Sequence, residues 1–202
     1  MPESGGRGPA ADRGHGAPVP DVVVVMGVSG VGKTTVAKAV AAAMGWSYAE
    51  GDDFHPQANV EKMRAGTPLT DADRWPWLRA IGGWVSQEVA GGHSGVVTCS
   101  ALRRTYRDLL RRDRPSVRFA HLVGSADLIT GRLRGRTGHH MPPSLLPSQF
   151  ATLEPLEPDE LAAGSVEVSV EGTVVDLVER ALGALALSPV APVPHVAEGP
   201  SV

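Results

Sequence analysis

Five consecutive apolar residues, Val22-Val23-Val24-Val25-Met26, run directly into Gly27-Val28-Ser29-Gly30-Val31-Gly32-Lys33-Thr34. A β-branched run without polar alternation belongs to a strand covered on both faces, the central position of a parallel sheet. The eight residues after it fit the spacing G-x-x-x-x-G-K-[ST]. Glycines at 27, 30 and 32 let the backbone turn so that successive N–H groups point inward at an anion. From Thr34 to Met44, the residues Val36, Val40, Ala41 and Met44 recur at helical spacing, and Gly45 is the expected stop. A helix starting near Lys33 adds its unpaired N–H groups and the positive end of its dipole, about half a charge. The expected ligand is the phosphate chain of ATP, cradled by residues 27–34 with Thr35. Lys33 reaches the β- and γ-phosphates, and the Thr34 hydroxyl binds the Mg²⁺ that bridges them.

Short apolar runs alternate with helical patterns along the rest of the chain. Trp46–Glu50, Val96–Ser100, Val117–Val123 and Ser165–Val170 read as further strands. Trp77, Leu78, Ile81, Trp84, Val85 and Val89 form one apolar stripe, ending at Gly91-Gly92. Val174, Leu177, Val178, Ala181, Leu182 and Leu185 form another. The pattern predicts an α/β fold of the P-loop NTPase type: a three-layer sandwich with a five-stranded parallel sheet and helices on both faces. Residues 1–20 hold five glycines and four prolines and residues 188–202 four more prolines, with too little apolar bulk to offset the entropy of ordering. Both stretches are expected to be disordered tails, leaving one domain over 21–187.

A formal net charge of -3 gives no global basic field, so nucleic acid is not an expected partner. Cys99 is the single cysteine, which excludes an intrachain disulfide and a thiolate zinc cage and agrees with a cytoplasmic setting. The run Val22–Met26 is far short of the ~20 residues that cross a bilayer, and no signal-peptide pattern precedes it, so no membrane association is expected. The D-x-x-G and N-K-x-D elements of a GTPase are missing. The third strand ends Thr98-Cys99-Ser100, without the carboxylate of a motor-type ATPase. Carboxylates stand instead after the second strand, in Gly51-Asp52-Asp53-Phe54-His55-Pro56, at the carboxyl end of the sheet beside the first loop, where ligands collect in parallel folds. Asp52 is the candidate to accept the proton of an attacking hydroxyl and to bind Mg²⁺ through water, and His55 is a candidate substrate contact. The competing reading of Asp52-Asp53 is a solvated turn capping a helix that begins at Pro56.

Several segments together resemble the gluconokinases, P-loop kinases related in fold to shikimate and nucleoside monophosphate kinases. They are Gly51 to Pro56 with Asn59, Lys62-Met63, Gly66 and Pro68-Leu69; Asp71-Ala72-Asp73-Arg74-Trp75-Pro76-Trp77-Leu78; Cys99-Ser100-Ala101-Leu102-Arg103-Arg104 with Tyr106-Arg107-Asp108; Arg132, Arg136 and Gly138-His139; and Ser148-Gln149-Phe150 with Leu153-Glu154. The resemblance covers about Val22 to Leu185. It implies phosphorylation of gluconate by ATP to 6-phosphogluconate, with Lys33 and Thr34 holding phosphate and metal and Asp52 facing the acceptor hydroxyl. It further implies a lid over about 132–150 whose Arg132 and Arg136 meet the transferring phosphate, and a segment at 148–154 that closes over the adenine. An acidic sugar needs a cation, and Arg103 and Arg107 are the candidates for it. Arg111, Arg112 and Arg114 read as a solvated helix end. Members of this family are often dimeric, so a homodimer is the assembly to look for. The lid reads Gly138-His139-His140-Met141 where the family pattern has an aromatic after the first histidine. Two other readings stay open on sequence grounds: a kinase for another hydroxylated acceptor, shikimate-like or a nucleotide, and an ATP-binding regulatory module without transferase activity.

Overall fold

The computed structural model describes residues 20–134 and 145–193. Its elements in chain order are β1 (Val22–Met26), α1 (Lys33–Met44), β2 (Ser47–Ala49), a 3₁₀ turn (Gly51–Phe54), α2 (Gln57–Arg64), α3 (Asp71–Ala90), β3 (Gly95–Thr98) and α4 (Arg104–Arg111), followed by β4 (Val117–Val123), α5 (Ala126–Arg134), α6 (Leu146–Thr152), α7 (Pro158–Ala162), β5 (Val166–Ser169) and α8 (Val174–Ala184). The five strands pair in parallel in the order β2-β3-β1-β4-β5. This is the expected P-loop architecture, with β1 at the centre.

The central strand lacks polar alternation because both its faces are covered. Val23 and Val25 pack with Val36 and Val40 of α1 and Val178 and Leu182 of α8. Val22, Val24 and Met26 point the other way, onto Trp77, Leu78 and Ile81 of α3 and Tyr106 and Leu110 of α4. None of the five is more than 1% exposed. Burying each such side chain contributes about 1.5–3 kcal/mol, so this strand anchors the loop that follows it.

Helix termini follow local chemistry. Thr70 and Asp73 form a capping box at the start of α3, as Thr173 and Asp176 do for α8. Gly45, at φ 65°, closes α1 with its N–H on the last carbonyls. β1 and β4 have the expected bounds, while β2, β3 and β5 are shorter than their apolar runs by a residue or two; at β2 the Trp46 N–H is spent on the Ala41 carbonyl of α1. Residues 188–193, expected from composition to belong to a disordered tail, are tied down: the Val190 and Ala191 amides both donate to the Ala43 carbonyl, at 2.9 and 3.0 Å. Carbonyls in the last turn of a helix lack intrahelical donors, and this return of the chain supplies them. The remaining tail positions lie outside the described residues. Among the described residues, no helix is long and apolar enough to cross a membrane.

Candidate active site

The loop between β1 and α1 takes its shape from glycines 27, 30 and 32, at φ 136°, 79° and 104°. Val28 and Val31 between them are buried and pin the loop to the core. Gly32 is the N-cap of α1, so the helix begins at Lys33 and its free N–H groups open toward the loop. The Lys33 ammonium folds back to donate to the Val28 carbonyl at 3.0 Å. Burial holds its pKa below the ordinary ammonium value, opposed first by the charge of Asp52 and then by Cys99 and Glu50. Thr34 is exposed and Thr35 half-buried. The Ser29 amide donates to the Gln149 side-chain oxygen at 2.6 Å.

Two cavities share this loop. The larger, about 390 Å³, is lined by Ser29, Lys33, Asp52, His55, Arg74 and Gln149 among others. The smaller, about 230 Å³, lies on the α8 side and includes Gly30, Gly32, Thr35, Arg132 and Gly172 in its wall. The first brings two cations, Lys33 and Arg74, and two carboxylates, Asp52 and Asp53, to one wall; the second is the less charged of the two, with Arg132 as its cation.

Asp52 reaches the larger cavity through the 3₁₀ turn after β2. That turn is welded to the sheet: the Gly51 amide donates to Thr98 Oγ1 at 2.8 Å, and the Gly51 carbonyl accepts from Trp77 Nε1 at 2.7 Å. A Cβ on Gly51 would sit 1.9 Å from the Thr98 carbonyl oxygen, so only glycine lets the turn lie this close to β3. Asp52 and Asp53 are both exposed. Asp52 is the one whose charge bears most on Lys33, which places it toward the phosphate loop. His55 stacks on Trp77 with ring centroids 4.2 Å apart, and its Nδ1 lies 3.3 Å from the Asn59 amide nitrogen. Burial, and secondarily the charge of Arg74, lower its pKa to about 4, so at neutral pH it is an uncharged hydrogen-bonding group.

Of the two expected substrate cations, Arg107 is taken up inside the fold. Arg107 is 0% exposed, and its guanidinium forks onto Glu160 at 2.7 and 2.8 Å while donating to the carbonyls of Glu154 and Pro155. It ties α4 to the segment around α7 and does not reach the cavity. Arg103 pairs with Asp71 at 2.9 Å and also lines neither cavity. Arg132 donates to the Val170 carbonyl at 2.7 Å in the wall of the smaller cavity. Arg136 and the 138–141 segment lie outside the described residues. Ser148 and Gln149, expected to close over adenine, line the larger cavity with Asp52. Arg114 is no solvated end: it donates to the carbonyls of Leu109, Leu110 and Arg112 and to Ser86, capping α4 against α3.

The Arg107–Glu160 pair yields a stability prediction. Burial by itself raises the Glu160 pKa, but the Arg107 hydrogen bonds and the Glu157 amide outweigh it and hold the carboxyl below its ordinary value. A carboxyl depressed in the folded state stabilises above its unfolded pKa and loses that contribution as pH falls through the folded one. Arg107→Met strands the carboxylate, so the protein is expected to lose about 3–5 kcal/mol in a urea unfolding experiment near neutrality, and less in acid.

Two site residues, Glu50 and Arg74, are given no role by the sequence reading. Glu50, the residue between β2 and the 3₁₀ turn, accepts from Thr98 Oγ1 and from the Tyr48 hydroxyl at 2.6 Å and meets the Thr34 hydroxyl. Burial pushes its pKa up, but those hydrogen bonds and the Lys33 charge bring it below the ordinary carboxylate value. It supplies from β2, through Thr98, the carboxylate that β3 itself lacks. Its signal was legible: an acidic residue at the carboxyl end of a strand beside the loop. Arg74 arrives from α3, and nothing in its local sequence marks it for the cavity.

Comparison with known proteins bears on what this geometry serves. A gluconokinase from Gluconobacter oxydans (strain 621H) is 55% identical over 141 residues, 70% of this chain and 79% of that protein. The crystal structure of a gluconokinase from Sinorhizobium meliloti 1021 superposes with a TM-score of 0.72 at 46% identity, covering 83% of this chain and 93% of the other. An unliganded sugar kinase from Janibacter sp. HTCC2649 superposes with a TM-score of 0.79 at 51% identity, covering 84% and 96%. No family model matches the chain.

Proposed function

The chain belongs to the gluconokinase family, and from that membership we infer that it transfers the terminal phosphoryl group of ATP to gluconate, giving 6-phosphogluconate and ADP. The observation that carries the reading to particular residues is the meeting of Lys33 and Asp52 in one cavity at the mouth of the phosphate loop. Gluconate occupies that cavity. ATP enters from the α8 side, its base in the smaller cavity beside Arg132 and its phosphates over residues 27–34. ATP as co-substrate supports a cytoplasmic setting.

Transfer is direct. The acceptor hydroxyl oxygen attacks the γ-phosphorus in line, the bond to the bridging oxygen breaks, ADP leaves, and Asp52 takes the hydroxyl proton. Lys33 and the loop amides hold the phosphate oxygens in place, so catalysis is positioning and charge stabilisation without a covalent enzyme intermediate. Arg132 is assigned to the nucleotide phosphates from its place beside the loop; Arg136 is assigned with it from the resemblance alone. Thr34, Glu50 and Asp52 offer hard oxygen donors, and Thr34 already meets the Glu50 carboxylate, which suits a Mg²⁺ held jointly with the phosphates of the nucleotide. Mg²⁺ held there would neutralise negative charge on the phosphates during transfer.

A coupled ADP-release assay across gluconate, shikimate, related sugar acids and nucleoside monophosphates tests the acceptor. Gluconate is expected to dominate the panel by kcat/KM. Turnover confined to a nucleotide acceptor would overturn the reading, and ATP binding without acceptor-dependent ADP release would make the protein a sensor.

A further inference from the structure

Gluconate carries a permanent negative charge, and the cavity assigned to it is not a basic one. Its charged lining residues among those described are Lys33, Arg74, Asp52 and Asp53. Lys33 is committed to phosphate, and both carboxylates repel an acid. His55 is neutral. Arg74 is thus the one cation left in that lining for the acceptor.

The surroundings of Arg74 prepare it for this task. Its Nη1 donates to the Leu69 carbonyl at 2.6 Å, and among the described residues that is the guanidinium's single hydrogen bond. The plane lies over the Tyr106 ring, 5.7 Å from its centroid, and Asp71, itself held by the Tyr106 hydroxyl and Arg103, stands 4.0 Å away. The side chain is 19% exposed, against 41% for Arg103. A guanidinium at a cavity wall, braced among the described residues through one nitrogen, is suited to take a carboxylate with two parallel hydrogen bonds. Its charge is felt by His55, which links the Asp52 turn to α3.

We infer that Arg74 is the specificity-determining residue of this enzyme, gripping the carboxylate of the acceptor while Asp52 faces the hydroxyl at the far end. This rests on gluconate being the acceptor, so its test separates the two. Steady-state rates are measured with D-gluconate and with D-gluconamide, which keeps every hydroxyl but is uncharged. The parent enzyme is expected to prefer gluconate by about a hundredfold in kcat/KM, the usual range for a hydrogen-bonded charge. Arg74→Gln should collapse that preference to within a few-fold, chiefly through the KM for gluconate, with the KM for ATP unmoved; Arg74→Lys, charged but without the fork, should fall between. If Arg74→Gln slows both acceptors equally, the residue is only a brace for the Leu69 turn and the inference is overturned. Equal use of both acceptors by the parent overturns it without any variant. A parent that ignores gluconate altogether sinks the underlying assignment and the inference with it.

Discussion

A Lys33→Met protein is expected to fold like the parent and to lose phosphoryl transfer to gluconate by about a thousandfold or more, the scale of removing a preorganised charge from a developing transition state. The ammonium is the one side-chain cation attached to the loop itself, and it is already turned onto the Val28 carbonyl. Burial costs the charged form, so the site holds a cation under penalty and gains most when an anion arrives. Methionine keeps most of the stem's packing and removes the charge together with its hydrogen bond to Val28. The measurement is ADP release with saturating gluconate, beside thermal unfolding of the same sample. Undiminished turnover with a normal melting curve would remove Lys33 from the mechanism.

Asp52→Asn is the second large effect, a drop of roughly 10²–10⁴ in kcat, the usual range for losing a positioned proton acceptor. The amide fits the same exposed position on the 3₁₀ turn, and the Gly51 hydrogen bonds that set the turn are made by the preceding residue. A kcat within a few-fold of the parent would transfer the proton-accepting role elsewhere, with Glu50 the next carboxylate toward the loop.

How far the sequence reaches depends on the distance over which each feature is encoded. The phosphate loop was fully legible, because five apolar residues, three glycines and a helix start are all local. So was Asp52, since its place follows from the end of a strand and the handedness of a parallel sheet. The same logic located β3 and β5 to within a residue or two and failed only at their ends, where hydrogen bonds from neighbouring elements decide. Arg107 shows the limit. It sits in a resembling motif beside Arg103 and Arg104, and only its burial against Glu160, 53 residues onward, reveals a structural role. Gln149 reaches Ser29 across 120 residues, a pairing no local pattern encodes. Arg74 stands in a resembling motif that gives no reason for it to face a substrate, because that reason is the charge inventory of a cavity built from five separate segments.

The most direct test of the central claim is a crystal structure of this protein with a non-hydrolysable ATP analogue and gluconate. The account predicts the terminal phosphate on the amides of residues 27–34 with Lys33 against it, and the primary hydroxyl of gluconate between that phosphate and Asp52. Nucleotide phosphates bound away from this loop, or gluconate outside the cavity that Asp52 lines, would contradict it.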